Sequence, residues 1–80
     1  MIEVKLKFDS VNRIKDFVTK MSKYDFRTSL EHDGFIVNAE SLMGILSLDL
    51  AQDVLFKAAC TTKEEEKDVL DYISDLMVGV

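Results

Sequence analysis

There is no proline in this chain, and it has only one cysteine, one histidine and three glycines. Each scarcity removes a class of protein. No proline-rich, serine-rich, low-complexity or repetitive stretch marks a linker, so residues 1–80 are expected to form a single domain. Cys60 has no second cysteine to pair with, which suits a reducing, cytoplasmic setting. No His/Cys/Asp cluster stands at ligand spacing, so neither a metal nor a cofactor is expected. No Ser/His/Asp arrangement or carboxylate pair can be drawn either, so the chain does not read as an enzyme. Basic residues are outnumbered, 10 against 15 acidic, for a net charge of −5, and phosphate neutralisation by clustered Lys and Arg is therefore not on offer to a nucleic acid. No apolar run approaches the roughly 18 residues that span a bilayer. The N-terminus alternates charge and hydrophobe, unlike a secretory signal.

What remains is well patterned. In "MIEVKLKF", Ile2, Val4, Leu6 and Phe8 share one face and Glu3, Lys5 and Lys7 the other, the period of a half-buried strand. Asp9 and Ser10 offer N-cap side chains, and Val11, Ile14, Phe17, Val18 and Met21 fall at helical spacing, which predicts a helix over 11–23. Tyr24 to Glu31 alternates again through Phe26, Thr28 and Leu30. Asp33-Gly34 then signals a tight hairpin, with "FIVN" as the return strand. A short helix is expected over 41–47, a loop at "DLAQD", and a fourth strand from Val54 to Cys60. Thr62 and Glu65 match the capping box, and Val69, Leu70, Ile73, Leu76 and Met77 form the apolar stripe of a last helix. The order βαββαβα predicts an α+β open-faced β-sandwich, a four-stranded, mainly antiparallel sheet with helices packed on one face.

The stretch "SKYDFRTSLEHDGFIVNAESLMGILSLDLAQD", with its Val37-Asn38-x-x-Ser41-Leu42-Met43-Gly44 core, resembles the HPr phosphocarrier family of the phosphoenolpyruvate-dependent sugar phosphotransferase system. Ungapped, the similarity runs from about Ser22 to Cys60 and extends more weakly over the outer helices. The family's order of elements is also βαββαβα, so the resemblance implies the same fold. It also implies chemistry at the start of the first helix, in a motif Gly-hydrophobic-His-Ala-Arg-Pro-Ala whose histidine relays phosphate. Carried across, that motif falls on Phe8 to Ile14: Ser10 takes the histidine position, Asn12 the arginine and Arg13 the proline. The only histidine, His32, belongs to the hairpin and is expected to stand far from the first helix as a solvated turn residue. A serine phosphate ester is far more inert than a phosphoramidate, so a histidine-type relay is expected to be lost, with Ser10 serving as an N-cap.

By the same resemblance, Ser41 matches the family's regulatory phosphorylation site, modified by a dedicated serine kinase, with Glu40 where the family usually has Lys. An unmodified N-cap would read identically. Leu42, Met43 and Leu46 match the apolar patch through which the family docks its partners. A seven-residue helix that is apolar nearly all round cannot bury every face of itself in so small a domain, although core packing is the alternative. Gly44 would let a partner approach, or serve internal packing. The expected partners are phosphotransferase-system proteins or a transcriptional regulator at the second helix, with self-association through that helix a further expectation. The leading reading is a regulatory or partner-binding module. The alternatives are an active phosphocarrier with a non-histidine acceptor and a fold-only relative serving as a subunit of another complex.

Overall fold

The structure, a computed structural model, describes residues 1–78. Seven elements follow in the predicted order: β1 (Ile2–Leu6), α1 (Val11–Met21), β2 (Thr28–His32), β3 (Phe35–Asn38), α2 (Leu42–Leu46), β4 (Val54–Ala58) and α3 (Lys63–Ile73). The sheet order is β1-β4-β2-β3, and every neighbouring pair is antiparallel. β1 and β2 are therefore parallel to one another with β4 between them, and α1 is their crossover. β3 and β4 are likewise parallel, with α2 crossing over β2. The second crossover reverses both strand direction and sideways shift, so the right-handed rule sends both helices to the same face. The α+β open sheet with helices on one face is thus the expected fold.

Local chemistry sets the register. Asp33 and Gly34 both have positive φ, 51° and 83°, which is the two-residue turn whose twist matches the flanking strands. His32 then pairs with Phe35, Leu30 with Val37, and Leu30 again with Phe56 on the other side. The helix-facing side buries Ile2, Leu6, Leu30, Val54, Phe56 and Ala58 beneath Ile14, Phe17, Met21, Ile45, Val69 and Ile73. The open side is polar at its centre, where Lys57 reaches Glu3 at 3.8 Å and Glu31 at 3.7 Å.

Several predicted boundaries move: α1 ends at Met21 rather than at 23, α2 is trimmed to Leu42–Leu46, and β4 ends at Ala58 rather than Cys60. Two further shifts have a clear physical reason. β2 begins at Thr28 rather than Tyr24. Tyr24 and Phe26 instead stack at 4.7 Å, Lys20 lies 5.3 Å over the Tyr24 ring, and the Tyr24 hydroxyl donates to Asp68 of α3. The apolar stripe expected for the last helix is also split. Val69 and Ile73 are buried in α3, Leu70 is exposed, and Leu76 and Met77 lie beyond the helix end. There the chain runs along the outer edge of β1, with Lys7 N–H donating to Leu76 O at 2.9 Å and Val78 N–H to Lys5 O at 3.0 Å. A second chain segment is a better partner for an open strand edge than another helical turn.

Thr28 is the only buried polar residue of the described core, and its hydroxyl has no hydrogen-bond partner among the described residues. Replacing it with an isostere that has no hydroxyl removes an uncompensated desolvation cost. Thr28→Val is expected to raise unfolding stability by about 1 kcal/mol, read as a higher urea midpoint at unchanged slope.

The Asp68 carboxyl is held below its ordinary value, chiefly by the Tyr24 hydroxyl and further by Lys20 at 3.5 Å. A depressed carboxylate stabilises the fold fully above its unfolded value of about 3.9. That contribution is lost as the pH falls through its lower folded value. A carboxyl NMR titration should place the Asp68 midpoint below ordinary aspartate, and Tyr24→Phe should move it upward.

Candidate functional site

The start of α1 is built by a cap and a ring. Ser10 is extended, φ −162° and ψ 158°, and its hydroxyl accepts the Arg13 N–H at 3.2 Å while its carbonyl accepts Ile14 N–H. Just before it, Phe8 turns inward and packs edge-to-face on Phe17 at 5.1 Å. The bulky residue before the cap thus pins the entry to the helix from inside. Asp9, Val11 and Asn12 are exposed. Arg13 is not aimed at Ser10: its guanidinium forms an ion pair with Asp75, just past the end of α3. That contact joins residues 62 apart in sequence, and nothing local announces it.

His32 lies at the same end of the sheet as Ser10, because Leu6 pairs with Val54 and Glu31 with Leu55. The separation comes from β4, which intervenes between β1 and β2. Two interstrand spacings come to about 10 Å. One ring nitrogen, Nδ1, is 3.2 Å from the Asp53 carbonyl oxygen. The ring is half-buried beside Asp33, Phe35, Ser47, Leu48 and Asp49, which line a dish of about 260 Å³. It is therefore a tethered hairpin residue rather than a freely solvated one.

Ser41 is the N-cap of α2 and accepts the Gly44 N–H at 3.1 Å. The preceding turn is organised by Asn38, whose side-chain oxygen accepts Glu40 N–H at 2.8 Å and whose carbonyl accepts Ser41 N–H at 3.0 Å. A Cβ at Gly44 would stand 3.2 Å from both Ser41 Oγ and Val37 Cβ. The glycine lets α2 lie directly on β3, the internal-packing role of the two considered for it.

The apolar residues of this segment divide by face. Ile45 and Leu48 are buried in the core, and Leu42 packs against it half-buried. Met43 is 78% exposed and Leu46 41%. The helix thus contributes to the core and to the surface at once. Two large hydrophobes that sequence reasoning did not single out are also exposed, Phe35 at 69% and Ile36 at 67%, both on β3. Part of their signal was present in "FIVN", four residues without a charge, but that this strand is an edge follows only from β4 pairing on the far side of β2. The serine at the head of α1, the serine at the head of α2 and the α2 surface all belong to the helix-bearing side of the molecule, and α1 touches α2 directly. Among the described residues, no helix is long and apolar enough to cross a membrane.

The family model described as "PTS HPr component phosphorylation site" matches residues 11–78. The match opens at Val11, so Ser10 lies one residue outside it. Among solved structures, the chain is similar to HPr-C-His from Thermoanaerobacter tengcongensis, at 31% identity and TM-score 0.74 over 94% of this chain and 93% of that one. It shares the fold of the phosphocarrier protein HPr from Bacillus anthracis, at 24% identity and TM-score 0.65 over 94% and 95% of the two chains. It likewise shares the fold of Crh, the Bacillus subtilis catabolite repression containing protein, described as a dimer with a swapping domain, at 24% identity and TM-score 0.63 over 99% and 93%. No curated protein sequence matches the chain.

The division of α2 into a core face and a free face has a direct mutational consequence. Ile45→Ala should cost about 2–5 kcal/mol in denaturant unfolding, through lost burial and the cavity left behind. Met43→Ala should stay within about 0.5 kcal/mol of wild type.

Proposed function

The chain belongs to the HPr component family of the phosphotransferase system, and from that premise we propose that it is a partner-binding or regulatory module that does not relay phosphate through histidine. Proteins of this family are phosphocarriers rather than enzymes, and the module is read here as non-catalytic too. Its docking surface is assigned to Leu42, Met43 and Leu46. The observation that carries this reading is the exposure of Met43 and Leu46 on a helix whose other face is core. A short helix anchored by Ile45 and Leu48 presents its free hydrophobes rigidly, and methionine adapts its shape to different partners. The expected partners are other proteins of the phosphotransferase system or a transcriptional regulator, met in the cytoplasm.

Ser10 and Asn12 are assigned no relay role. The Ser10 hydroxyl is occupied as a cap, Asp9 places a negative charge beside it, and Arg13 is held by Asp75. A phosphate delivered there would form an inert ester in an unhelpful field. Ser41 is assigned as the regulatory phosphorylation site for a serine kinase. Its Oγ stands where the N–H of Gly44 can meet a phosphate oxygen. Glu40 beside it opposes the added charge, so the phosphorylated state would loosen this turn more than lock it.

One experiment separates these assignments from a phosphocarrier with an unconventional acceptor. The intact mass of the protein is measured after incubation with the phosphoenolpyruvate-dependent first enzyme of the system, and separately with the serine kinase and ATP. No phosphoryl adduct is expected in the first mixture and one, on Ser41, in the second. A heat- and acid-labile adduct in the first mixture would sink the loss of relay. Its disappearance in His32→Asn would then identify the acceptor. Leu46→Glu should abolish binding of a phosphotransferase-system partner while the far-ultraviolet spectrum stays native.

A further inference from the structure

The sheet has two outer edges, and the chain treats them differently. The edge of β1 is covered by the chain's own segment Leu76–Val78, through the two backbone hydrogen bonds at Lys7 and Lys5. Among the described residues nothing covers the edge of β3. Exposed edge strands are usually guarded by a lysine, a proline, a bulge or an inward charge. Phe35–Asn38 has none of these. It is instead Phe-Ile-Val-Asn, with two of the largest exposed hydrophobes of the molecule side by side.

The hairpin geometry determines what this edge offers. The two-residue turn makes His32–Phe35 a hydrogen-bonded pair, so Phe35 and Val37 spend their backbone groups on β2. Ala39 N–H donating to Thr28 O at 3.1 Å continues that alternation. The N–H and C=O of Ile36 and the N–H of Asn38 therefore point outward.

We propose that this edge pairs with the β3 edge of a second copy of the chain, antiparallel about a two-fold axis at Ile36. Side chains opposite one another in such a pair must share a face. In this register Ile36 meets Ile36 on the open side, and Phe35 meets Val37 of the second copy on the helix side, twice. Ile36 exchanges two backbone hydrogen bonds with its counterpart, and Asn38 N–H faces the second copy's hairpin.

Charge selects the same occupant. Each chain carries a net charge of −5, so contact through most surfaces is repulsive, whereas β3 itself is uncharged. The strand is flanked by opposite charges. Arg27 lines a dish of about 260 Å³ together with Ser29, Ile36 and Asn38 at one end, and Asp33 of the hairpin stands at the other. Neither forms an ion pair among the described residues. Antiparallel pairing brings each Arg27 dish up to the other copy's Asp33. Because the β1 edges are already covered, association closes at two copies and does not propagate.

Sedimentation of the full chain over a range of concentrations tests this. The wild type is expected to move from a 9.1 kDa monomer to twice that mass and no further. Ile36→Lys should weaken the dimer by about a hundredfold with an unchanged circular dichroism spectrum, and Phe35→Lys should act in the same direction. Arg27→Gln and Asp33→Asn should each weaken it by roughly fivefold, an effect that added salt mimics in the wild type. A chain that stays monomeric up to about 1 mM, that forms larger assemblies, or whose dimer survives Ile36→Lys would overturn the proposal. The last outcome would point to exchanged segments or the α2 surface instead.

Discussion

Phe17 stands between two rings, edge-to-face with Phe8 at 5.1 Å and with Phe56 at 5.7 Å, and it is completely buried. Those three residues come from the segment leaving β1, from the middle of α1 and from the central strand β4. The column therefore ties the helix layer to the strand that holds both halves of the sheet together. Edge-to-face ring pairs add about 0.5–1.5 kcal/mol each beyond the area they bury. More to the point, they fix orientation. With Phe8 locked under Phe17, the chain between them has little freedom, and Ser10 is delivered to the cap position of α1. Where the candidate site sits is a consequence of core packing several residues away.

Local chemistry made much of this fold legible. Asp33-Gly34 identified the hairpin and its register because few residues accept two successive positive φ angles. Thr62 and Glu65 marked the start of α3, where the hydroxyl and carboxylate reciprocally cap the helix. Ser10 and Ser41 were both legible as caps. The features that were hidden are those that depend on contacts between distant residues. Tyr24 and Phe26 alternate like strand residues, yet Tyr24 is claimed by Lys20 and Asp68 and Phe26 stacks on its ring. Leu76 and Met77 continue a helical period, yet β1 offered unpaired backbone groups and took them. The Arg13–Asp75 pair is of the same kind.

Both serines singled out by the sequence share one physical condition. Each has already satisfied the N–H of the third helical residue, Arg13 for Ser10 and Gly44 for Ser41. Adding a phosphate to either would exchange a neutral cap for a charged one. The exchange is favoured where the surroundings are positive and opposed where they are not. Near Ser10 the only basic group of the first turn is committed to Asp75 and an aspartate adjoins the site. Near Ser41 an aspartyl or basic neighbour is absent from the turn, and Glu40 is the single opposing charge. Electrostatics therefore favours neither position, and the proposed regulatory role of Ser41 rests on the family resemblance of its segment rather than on a favourable field.

The exposed hydrophobes of α2 and those of β3 have different origins, and that difference bears on what each could recognise. Met43 and Leu46 are the unburied side of a helix that must be apolar on its other side to reach the core. Ile45 and Leu48 would demand that helix even in a protein with no partner. Their exposure offers side-chain contact, adaptable in shape and undemanding in backbone geometry. Phe35 and Ile36 come from an edge strand, where a polar residue at the outward positions would have served the fold equally well. That edge offers backbone hydrogen bonds as well as side chains, so it accepts only an extended segment in the correct register. Under the proposals made above, one chain would carry a permissive surface on α2 and a selective one on β3. Because β3 lies beneath α2, through the Gly44–Val37 approach, a segment added at the edge would lie alongside the permissive surface. Occupying the β3 edge would extend the α2 surface rather than cover it.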